Sequence, residues 1–384
     1  MPVITDSQAL AEFCANLKNS EFITVDTEFL REKTYYPKLC LIQVSCPEKE
    51  ARAIDPLAEN IDLTPLFDLL KDQNILKVFH AGRQDLEIFY TLMGTVPAPV
   101  FDTQIAAMVC GYGDSIGYDK LVRNILDESI DKSSQFTDWS YRPLSEKQIN
   151  YALGDVTHLC GVFLHLHAEL EKRGRQKWVE QENEIQNSAD TYKLDPYDAW
   201  AKVRIRNPKA KNLAVLRELA AWREIQAQKR NIPKSWVVRD DALAEIALNI
   251  PQTEKQLSKV RNIPKDLTKE KNTATLLKLI DTALNSSKEQ WPKPPVRKQH
   301  PPSVSATIDI LKLLLKLTSL QHEVAAKVIA NADDLEAIAL SDQADVNALK
   351  GWRYEIFGKD ALDVKNGKLA VGLKDGRINK FPLA

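Results

Sequence analysis

The order of strand and helix signals at the start of this chain most constrains what it can fold into. Three strand-like stretches follow one another, at residues 21–27, 39–45 and 51–54. Their connections are too short for helical crossovers, so we expect these strands to pair antiparallel. Helix and strand patterns then alternate, which predicts a mixed sheet flanked by helices in an α/β domain.

The alternating part ends in a long helix. The predicted elements are a helix at 63–70, a strand at 75–79, a helix at 83–93, a short strand at 100–101, a helix at 103–110 and a closing helix at 145–172. Ser145 is the expected N-cap of the last helix, and Glu146 follows it in the first turn.

The second half of the chain is mainly helical by its pattern. Apolar residues keep helical spacing from Leu213 onward, and shorter amphipathic pieces follow at 240–248, 253–260 and 272–285. The proline-rich stretch 291–302 predicts a stiff extended linker. A third block begins with an apolar helix at 308–315, and Asp375-Gly376 predicts a terminal hairpin.

Carboxylates from three separate stretches suggest a metal site. Asp26 and Glu28 stand at i and i+2 of a strand, so their side chains share one face. Asp155 follows Tyr151 by one helical turn, and Asp85 lies in the third stretch. Such hard oxygen ligands suit magnesium or manganese, and carboxylates brought together could hold two ions roughly 3.5 to 4 Å apart for phosphoryl transfer. This pattern indicates a nuclease.

The net charge of −1 hides an asymmetry along the chain. Residues 1–192 carry 18 Lys and Arg against 30 Asp and Glu, whereas residues 193–300 carry 23 against 12. A basic block that follows an acidic block with a metal site is expected if the basic block binds a polyanion. The alternative is that both blocks are solubilising surfaces.

Composition excludes several other classes of protein. The five cysteines have no C-x-x-C spacing, which favours reduced buried thiols over bridges or a zinc site. No apolar run approaches the roughly 18 residues that span a bilayer, and no secretory signal opens the chain, so we expect a cytoplasmic protein. A helicase is excluded because the chain lacks a G-x-x-x-x-G-K-[ST] phosphate loop.

Four segments carry a resemblance to bacterial ribonuclease D. They are V-D-T-E-F-L-R-E-K-T-Y-Y-P-K-L-C-L-I-Q-V-S at 25–45, F-H-A-G-R-Q-D-L-E at 79–87, V-F-D-T-Q-I-A-A at 100–107 and R-P-L-S-E-K-Q-I-N-Y-A-L-G-D-V-T-H-L at 142–159. That family belongs to the DEDD exonucleases, in the subgroup with tyrosine four residues before the last aspartate. The resemblance implies a ribonuclease H-like mixed sheet at 1–192, followed by two small all-α HRDC-type domains at 208–290 and, more divergent, 303–384.

The resemblance also implies a function. It predicts a 3′-to-5′ exoribonuclease that trims structured RNAs, tRNA precursors especially, with two divalent cations, Mg²⁺ or Mn²⁺, and releases nucleoside 5′-monophosphates. By this carry-over Asp26, Glu28, Asp85 and Asp155 are the metal ligands. Asp26 would bridge the ions, with Glu28 and Asp155 on the nucleophile side and Asp85 on the other. Tyr151 would orient the attacking water.

Further residues are candidates for contact with RNA. Phe29, His80, Gln84 and Arg142 are predicted substrate contacts, whereas Asp102 is excluded from the ligands because it can cap a helix. In the basic block the RNA-binding candidates are Lys229, Arg230, Lys234 and Arg239. Trp222 and Trp236 are predicted to be core residues.

Two rival functions remain open at this level. A DNA exonuclease would use the same metal site, and a non-catalytic RNA-binding scaffold would keep only the basic block. We expect a monomer. We also expect that deletion of residues 205–384 weakens RNA binding and leaves the cleavage of short substrates.

Overall fold

The computed structural model describes residues 3–47, 49–294 and 301–383. These residues form two compact units. Unit 1 contains the described parts of 1–28, 41–191 and 298–384, and unit 2 contains Phe29–Cys40 and the described part of 192–297. Apart from residues 29–40 and 192, which belong to unit 2, the described parts of the predicted first and third domains lie in unit 1, while the predicted boundaries themselves stay predictions.

Unit 1 is built on a six-stranded mixed sheet. Its strands are β1 (Val3–Ile4), β2 (Phe22–Leu30), β3 (Lys38–Cys46), β4 (Lys49–Ile54), β5 (Leu76–Phe79) and β6 (Val100–Asp102), in the order β1-β4-β3-β2-β5-β6. β3 and β4 pair antiparallel, as predicted, whereas β5 runs parallel to both β2 and β6. β1, parallel to β4, was not predicted, because two residues are too few to show an alternating pattern.

Seven helices accompany this sheet in the described part of the chain up to residue 191. They are α1 (Ser7–Leu17), α2 (Thr64–Lys71), α3 (Arg83–Met93), α4 (Thr103–Val109), α5 (Tyr118–Leu126), α6 (Glu146–Arg173) and α7 (Gln176–Asn187). The predictions of α2, α3, α4 and α6 are confirmed, and α1, α5 and α7 are additional. Ser145 caps α6 in a reciprocal capping box with Gln148, which fixes where this helix begins.

Unit 2 is helical. Its helices are α8 (Ala210–Arg230), α9 (Lys234–Val237), α10 (Asp240–Asn249), α11 (Glu254–Leu257) and α12 (Glu270–Asn285). They enclose a core of buried aliphatic side chains from α8, α10 and α12. Trp222 packs against this core, but the prediction for Trp236 is wrong, because 58% of its surface is exposed. In the four-residue helix α9, the neighbouring Val237 is buried instead of Trp236.

The segment Phe29–Cys40 is fastened within unit 2. The side-chain oxygen of Asn231 accepts the backbone N–H groups of Tyr35 and Tyr36 at 3.1 and 3.0 Å. The Tyr35 hydroxyl donates to Glu224, and its ring packs against the core of the unit. The connection between β2 and β3 therefore takes its structure from unit 2.

The last part of the chain is helical and ends in a hairpin. Its elements are α13 (Pro302–His322), α14 (Ala326–Ile329), α15 (Ala332–Leu340), α16 (Gly351–Arg353), a π-helical turn (Tyr354–Gly358), α17 (Lys359–Lys365), β7 (Leu369–Lys374) and β8 (Arg377–Pro382). The hairpin is confirmed, and Asp375 and Gly376 take the positive φ angles that its turn requires. Pro302 begins α13 instead of ending the predicted linker, of which residues 295–300 lie outside the described residues.

The first and last parts of the chain share one hydrophobic core in unit 1. Val109 and Leu166 are buried in the same cluster as Leu311, Ile329 and Phe357. The rings of Trp178 and Trp352 stack in parallel, with their centroids 4.2 Å apart. Residues 302–383 are therefore part of the structure that carries the sheet.

Two sequence expectations concern the whole chain. All five cysteines are buried and unbridged, which confirms the prediction of reduced thiols. Within the described residues, no helix has both the length and the apolar character needed to cross a bilayer.

Candidate active site

Strand β2 supplies two of the predicted carboxylates. Asp26 and Glu28 are half-buried and alternate with the buried Thr27, as expected for residues on one face of a strand. Thr27 donates a hydrogen bond from its hydroxyl to the carboxylate of Asp85, a buried residue in the first turn of α3. The strand thus brings two acids to the site and positions the third.

Helix α6 supplies the remaining carboxylate and the tyrosine. Asp155 is buried, and the hydroxyl of Tyr151, one turn before it, donates to its carboxylate. The Tyr151 ring lies near the buried Trp139, with 6.1 Å between their centroids. Burial, and then the charge of Asp155, raises the pKa of Tyr151 far above its usual range. Tyr151 is therefore a hydrogen-bond donor at neutral pH and cannot act as a base.

The four carboxylates influence one another. Burial and the neighbouring Asp155 raise the pKa of Asp26 to about 8, and burial together with the other three acids raises that of Glu28 to about 10. Burial raises the pKa of Asp155 to about 7, and burial and Asp26 raise that of Asp85 well above its usual value. Without a compensating positive charge, Asp26 and Glu28 therefore retain protons at neutral pH.

The donor set fits divalent cations by its chemistry. Four carboxylates offer hard oxygen ligands, and their mutual repulsion is relieved when a cation binds. As the side chains stand, no group of three or more His, Cys, Asp or Glu residues in the described part of the chain is placed to hold an ion.

A cavity of about 290 Å³ lies beside these acids. Its lining includes Asp26, His80, Tyr118, Lys132, Gln135, Tyr151 and Asp155. Glu28 and Asp85 do not line it, although both interact with Asp26. The cavity thus joins three of the five predicted catalytic residues and one predicted substrate contact.

Tyr118 is a site residue that the sequence did not reveal. Its hydroxyl donates to the main-chain carbonyl of Asp155, and its ring centroid lies 5.0 Å from that of His80. Tyr118 begins α5, a helix that was not predicted, and only the packing of α5 on α6 brings it to the cavity. A lone tyrosine in a sequence carries no signal of such a role.

Asp102 is a structural residue, as predicted. Its carboxylate caps α4 through the N–H of Gln104 and also accepts the N–H groups of Ala81 and Gly82. Ala81 has a φ of +53°, a conformation that costs energy for a residue with a Cβ atom. Asp102 thereby holds the turn that leads into α3 and Asp85.

The predicted substrate contacts have different surroundings. His80 lines the cavity and is hydrogen-bonded to Thr103, and burial lowers its pKa, so it is neutral at pH 7. Phe29 is half-buried directly after Glu28, and Gln84 is exposed directly before Asp85.

Arg142 is already engaged by other groups. It forms two hydrogen bonds of 2.6 Å to Asp55 and donates to the carbonyls of Trp139 and Tyr141. These contacts favour a role in holding the loop before α6, and they do not support the predicted contact with phosphate.

The RNA-binding candidates of the basic block lie in unit 2. Lys229 and Arg230 are exposed in the last turn of α8. Lys234 and Arg239 line a surface cavity of about 560 Å³ with Lys202. These side chains give unit 2 a cationic surface, although Asp240 and Asp241 at the same cavity offset part of it.

Two segments of this chain match known protein families. Residues 1–171 match the family described as 3′-5′ exonuclease, and residues 212–280 match the HRDC domain. The chain is 49% identical to ribonuclease D of Nitrobacter hamburgensis, over 98% of both chains. It is 46% identical to ribonuclease D of Sphingobium indicum, over 98% of this chain and 97% of that protein.

A solved structure is similar over almost the whole length. The crystal structure of Escherichia coli RNase D, an exoribonuclease involved in structured RNA processing, superposes with a TM-score of 0.82 at 30% sequence identity. The match covers 95% of this chain and 98% of that chain. The similarity therefore includes the mixed sheet and the helical remainder together.

Proposed function

Because this chain belongs to the ribonuclease D family and is a 3′-to-5′ exoribonuclease, we propose that it trims structured RNAs, chiefly tRNA precursors. The structured substrate is proposed from the related Escherichia coli enzyme, which is involved in structured RNA processing. In each cycle water attacks the last phosphodiester, and the bond from phosphorus to the 3′ oxygen breaks. The products are a nucleoside 5′-monophosphate and an RNA that is one nucleotide shorter.

The family is metal-dependent, and we propose two Mg²⁺ or Mn²⁺ ions for this chain. Asp26, Glu28, Asp85 and Asp155 would hold them, with Asp26 shared between both. Such ions, when bound, activate water and neutralise the charge that develops on the leaving oxygen. The observation that carries this proposal is that three separate elements, β2, α3 and α6, bring four buried or half-buried carboxylates together, so that burial raises the pKa of each and neighbouring carboxylates raise those of Asp26, Glu28 and Asp85 further.

The protein's own groups would orient the reactants. Tyr151 keeps its proton, so its hydroxyl can hold the attacking water through a hydrogen bond. Tyr118 fixes the backbone of Asp155, and Thr27 fixes the side chain of Asp85. His80, neutral in the cavity wall, offers hydrogen bonding to sugar or phosphate without adding charge.

We propose that unit 2 holds the RNA backbone by charge. Lys229, Arg230, Lys234 and Arg239 would contact phosphates with little sequence readout. Replacement of Lys229 and Arg230 by Gln should weaken binding of every RNA sequence and reduce the slope of log affinity against log salt by about 2. An unchanged slope would remove these two residues from the interface. We further propose that the protein is a monomer, which its mass in solution tests.

The proposed function is tested with a 5′-labelled tRNA that carries a 3′ extension. The native protein and Asp155→Asn are compared in Mg²⁺, in Mn²⁺ and in chelator, with Asp68→Asn as a control that makes the same chemical change on the exposed face of α2. We expect stepwise shortening that needs metal, survives Asp68→Asn and is lost in Asp155→Asn.

A second substrate and a binding assay discriminate the rivals. If a matched DNA oligonucleotide is shortened as fast as the RNA, the chain does not select RNA. If the native protein and Asp155→Asn both bind the RNA but leave it intact in either metal, the non-catalytic RNA-binding scaffold becomes the favoured function.

A further inference from the structure

The two most exposed aromatic side chains in the described part of the chain lie in one loop. Phe136 is 93% exposed and Tyr141 is 70% exposed, and both belong to the connection between α5 and α6. Because these rings are exposed to solvent, they add little hydrophobic stabilisation to the folded protein. The clustering of the two therefore needs an explanation other than core packing.

Buried residues and a hydrogen bond fix the backbone of the loop near the two exposed rings. Ser134 is buried before Phe136, and Trp139, between the two rings, is only 2% exposed. The side chain of Gln148 in α6 donates to Thr137 at 3.1 Å. These contacts fix the backbone on both sides of Phe136.

The same loop forms one wall of the active-site cavity. Gln135, the residue before Phe136, lines the cavity together with Asp26, Tyr151 and Asp155. Trp139 lies against the ring of Tyr151. A chain that enters the cavity therefore passes beside this loop.

The loop offers no excess positive charge to a phosphate backbone. Its two basic residues are both paired, Lys132 with Asp119 at 2.8 Å and Arg142 with Asp55 at 2.6 Å. The four acidic residues of the loop, Asp127, Glu128, Asp131 and Asp138, outnumber them. Contact with RNA at this place must therefore come mainly from the rings.

We propose that Phe136 and Tyr141 are stacking platforms for the bases of a single-stranded 3′ end on its way into the active site. Every base has an aromatic face, so stacking accepts any sequence, as trimming requires. Exposed aromatics beside a groove are the usual means of holding unpaired RNA. The proposal rests on the RNA-trimming function proposed above and adds the residues that guide the substrate.

The test uses a short RNA hairpin with a 3′ tail and a steady-state comparison of the native protein with four variants. Phe136→Ala and Tyr141→Ala should each raise KM by about 5- to 100-fold, the factor that stacking on one ring contributes, while kcat at saturating RNA stays the same. Phe136→Tyr retains the ring and should remain near the native KM. Phe136→Leu, which retains apolar bulk without a ring face, should behave like Phe136→Ala.

A second series of RNAs locates the stacked base. Abasic nucleotides are placed one at a time along the tail. At the position that stacks on Phe136, the abasic change should raise the KM of the native protein but leave that of Phe136→Ala unchanged. This non-additivity distinguishes direct stacking from a general distortion of the loop.

Two results would overturn the proposal, and they differ. In the first, the native protein shortens the tail, but Phe136→Ala and Tyr141→Ala have the same KM as the native protein. The rings then serve another purpose, such as contact with a protein partner, and the proposed function stands. If the native protein does not shorten RNA at all, the proposed function fails first, and this inference fails with it.

Discussion

Arg353 fastens the last part of the chain to the rest of unit 1, and its removal should be costly. The side chain is 9% exposed, its Nε donates to the carbonyl of Val328 at 2.7 Å, and one of its terminal nitrogens pairs with Glu182. The guanidinium also lies over the ring of Trp352 at 4.6 Å. Arg353→Met preserves much of the volume but leaves Glu182 and the carbonyl without their partner.

The expected cost follows from this burial. Removal of one member of a buried ion pair costs about 3 to 5 kcal/mol, because the other charge stays behind without compensation. The matched control is Lys350→Met, which breaks an ion pair of 2.5 Å with Asp345 in which both side chains are largely exposed. That change should cost no more than about 1 kcal/mol.

Urea unfolding, followed by tryptophan fluorescence, measures both variants. Trp178 and Trp352 stack beside Arg353, so their emission reports on this region. We expect a clear shift of the midpoint for Arg353→Met and almost none for Lys350→Met. Equal shifts would refute the reasoning, since they would mean that burial adds nothing to the strength of the Arg353 pair.

Three further predictions concern the active site and the core. Thr27→Val removes the hydrogen bond to Asp85 and should weaken the apparent affinity for Mg²⁺ in the cleavage assay by about 10- to 100-fold. Thr27→Ser keeps the hydroxyl group and should have the apparent Mg²⁺ affinity of the native protein. In chelator, thermal unfolding should show that the protein is more stable at pH 6 than at pH 9. Burial raises the pKa of Asp26 to about 8 and that of Asp155 to about 7, so at pH 6 the folded protein holds protons that the unfolded chain has released. A melting temperature that does not change between these pH values would contradict the raised pKa values. Lys77→Met should destabilise the fold by roughly 3 kcal/mol or more, because the buried ammonium donates hydrogen bonds to three backbone carbonyls that would lose their partner. An unchanged free energy of unfolding in denaturant would show that these three hydrogen bonds do not stabilise the fold.

The sequence predicted the elements whose signals are local. The capping residue Ser145 and the long apolar period determine α6, and the Asp375-Gly376 turn determines the hairpin. Strand alternation placed Asp26 and Glu28 together for the same reason. These features depend on neighbours a few residues away, so one sequence suffices to find them.

Features that depend on distant contacts could not be predicted. Tyr118 reaches the cavity only because α5 packs on α6, and Arg142 is engaged by Asp55, which is far away in sequence. Trp236 is exposed although tryptophan is commonly buried. For Tyr118 and Arg142 the decisive partner is distant in the sequence, and for none of the three residues does the local pattern reveal its surroundings.

The shared core also changes how the role of the second half should be tested. Deletion of residues 205–384 would uncover the apolar faces of α4 and α6 that α13 and α14 help to cover. The expectation that such a truncated protein still cleaves short substrates is therefore poorly founded. Single substitutions at the basic residues of unit 2 leave this core intact and are the better test.

The discontinuous core of unit 1 also bears on synthesis of the protein in the cell. The sheet and α6 are made early, but the helices that complete their core come from residues 302–383. The ribosome must first translate residues 192–297, the main part of unit 2, which takes roughly 5 to 20 s at about 5 to 20 residues per second. During that interval the nascent chain carries an uncovered apolar surface, and the core of unit 1 can be completed only after residues 302–383 have been translated.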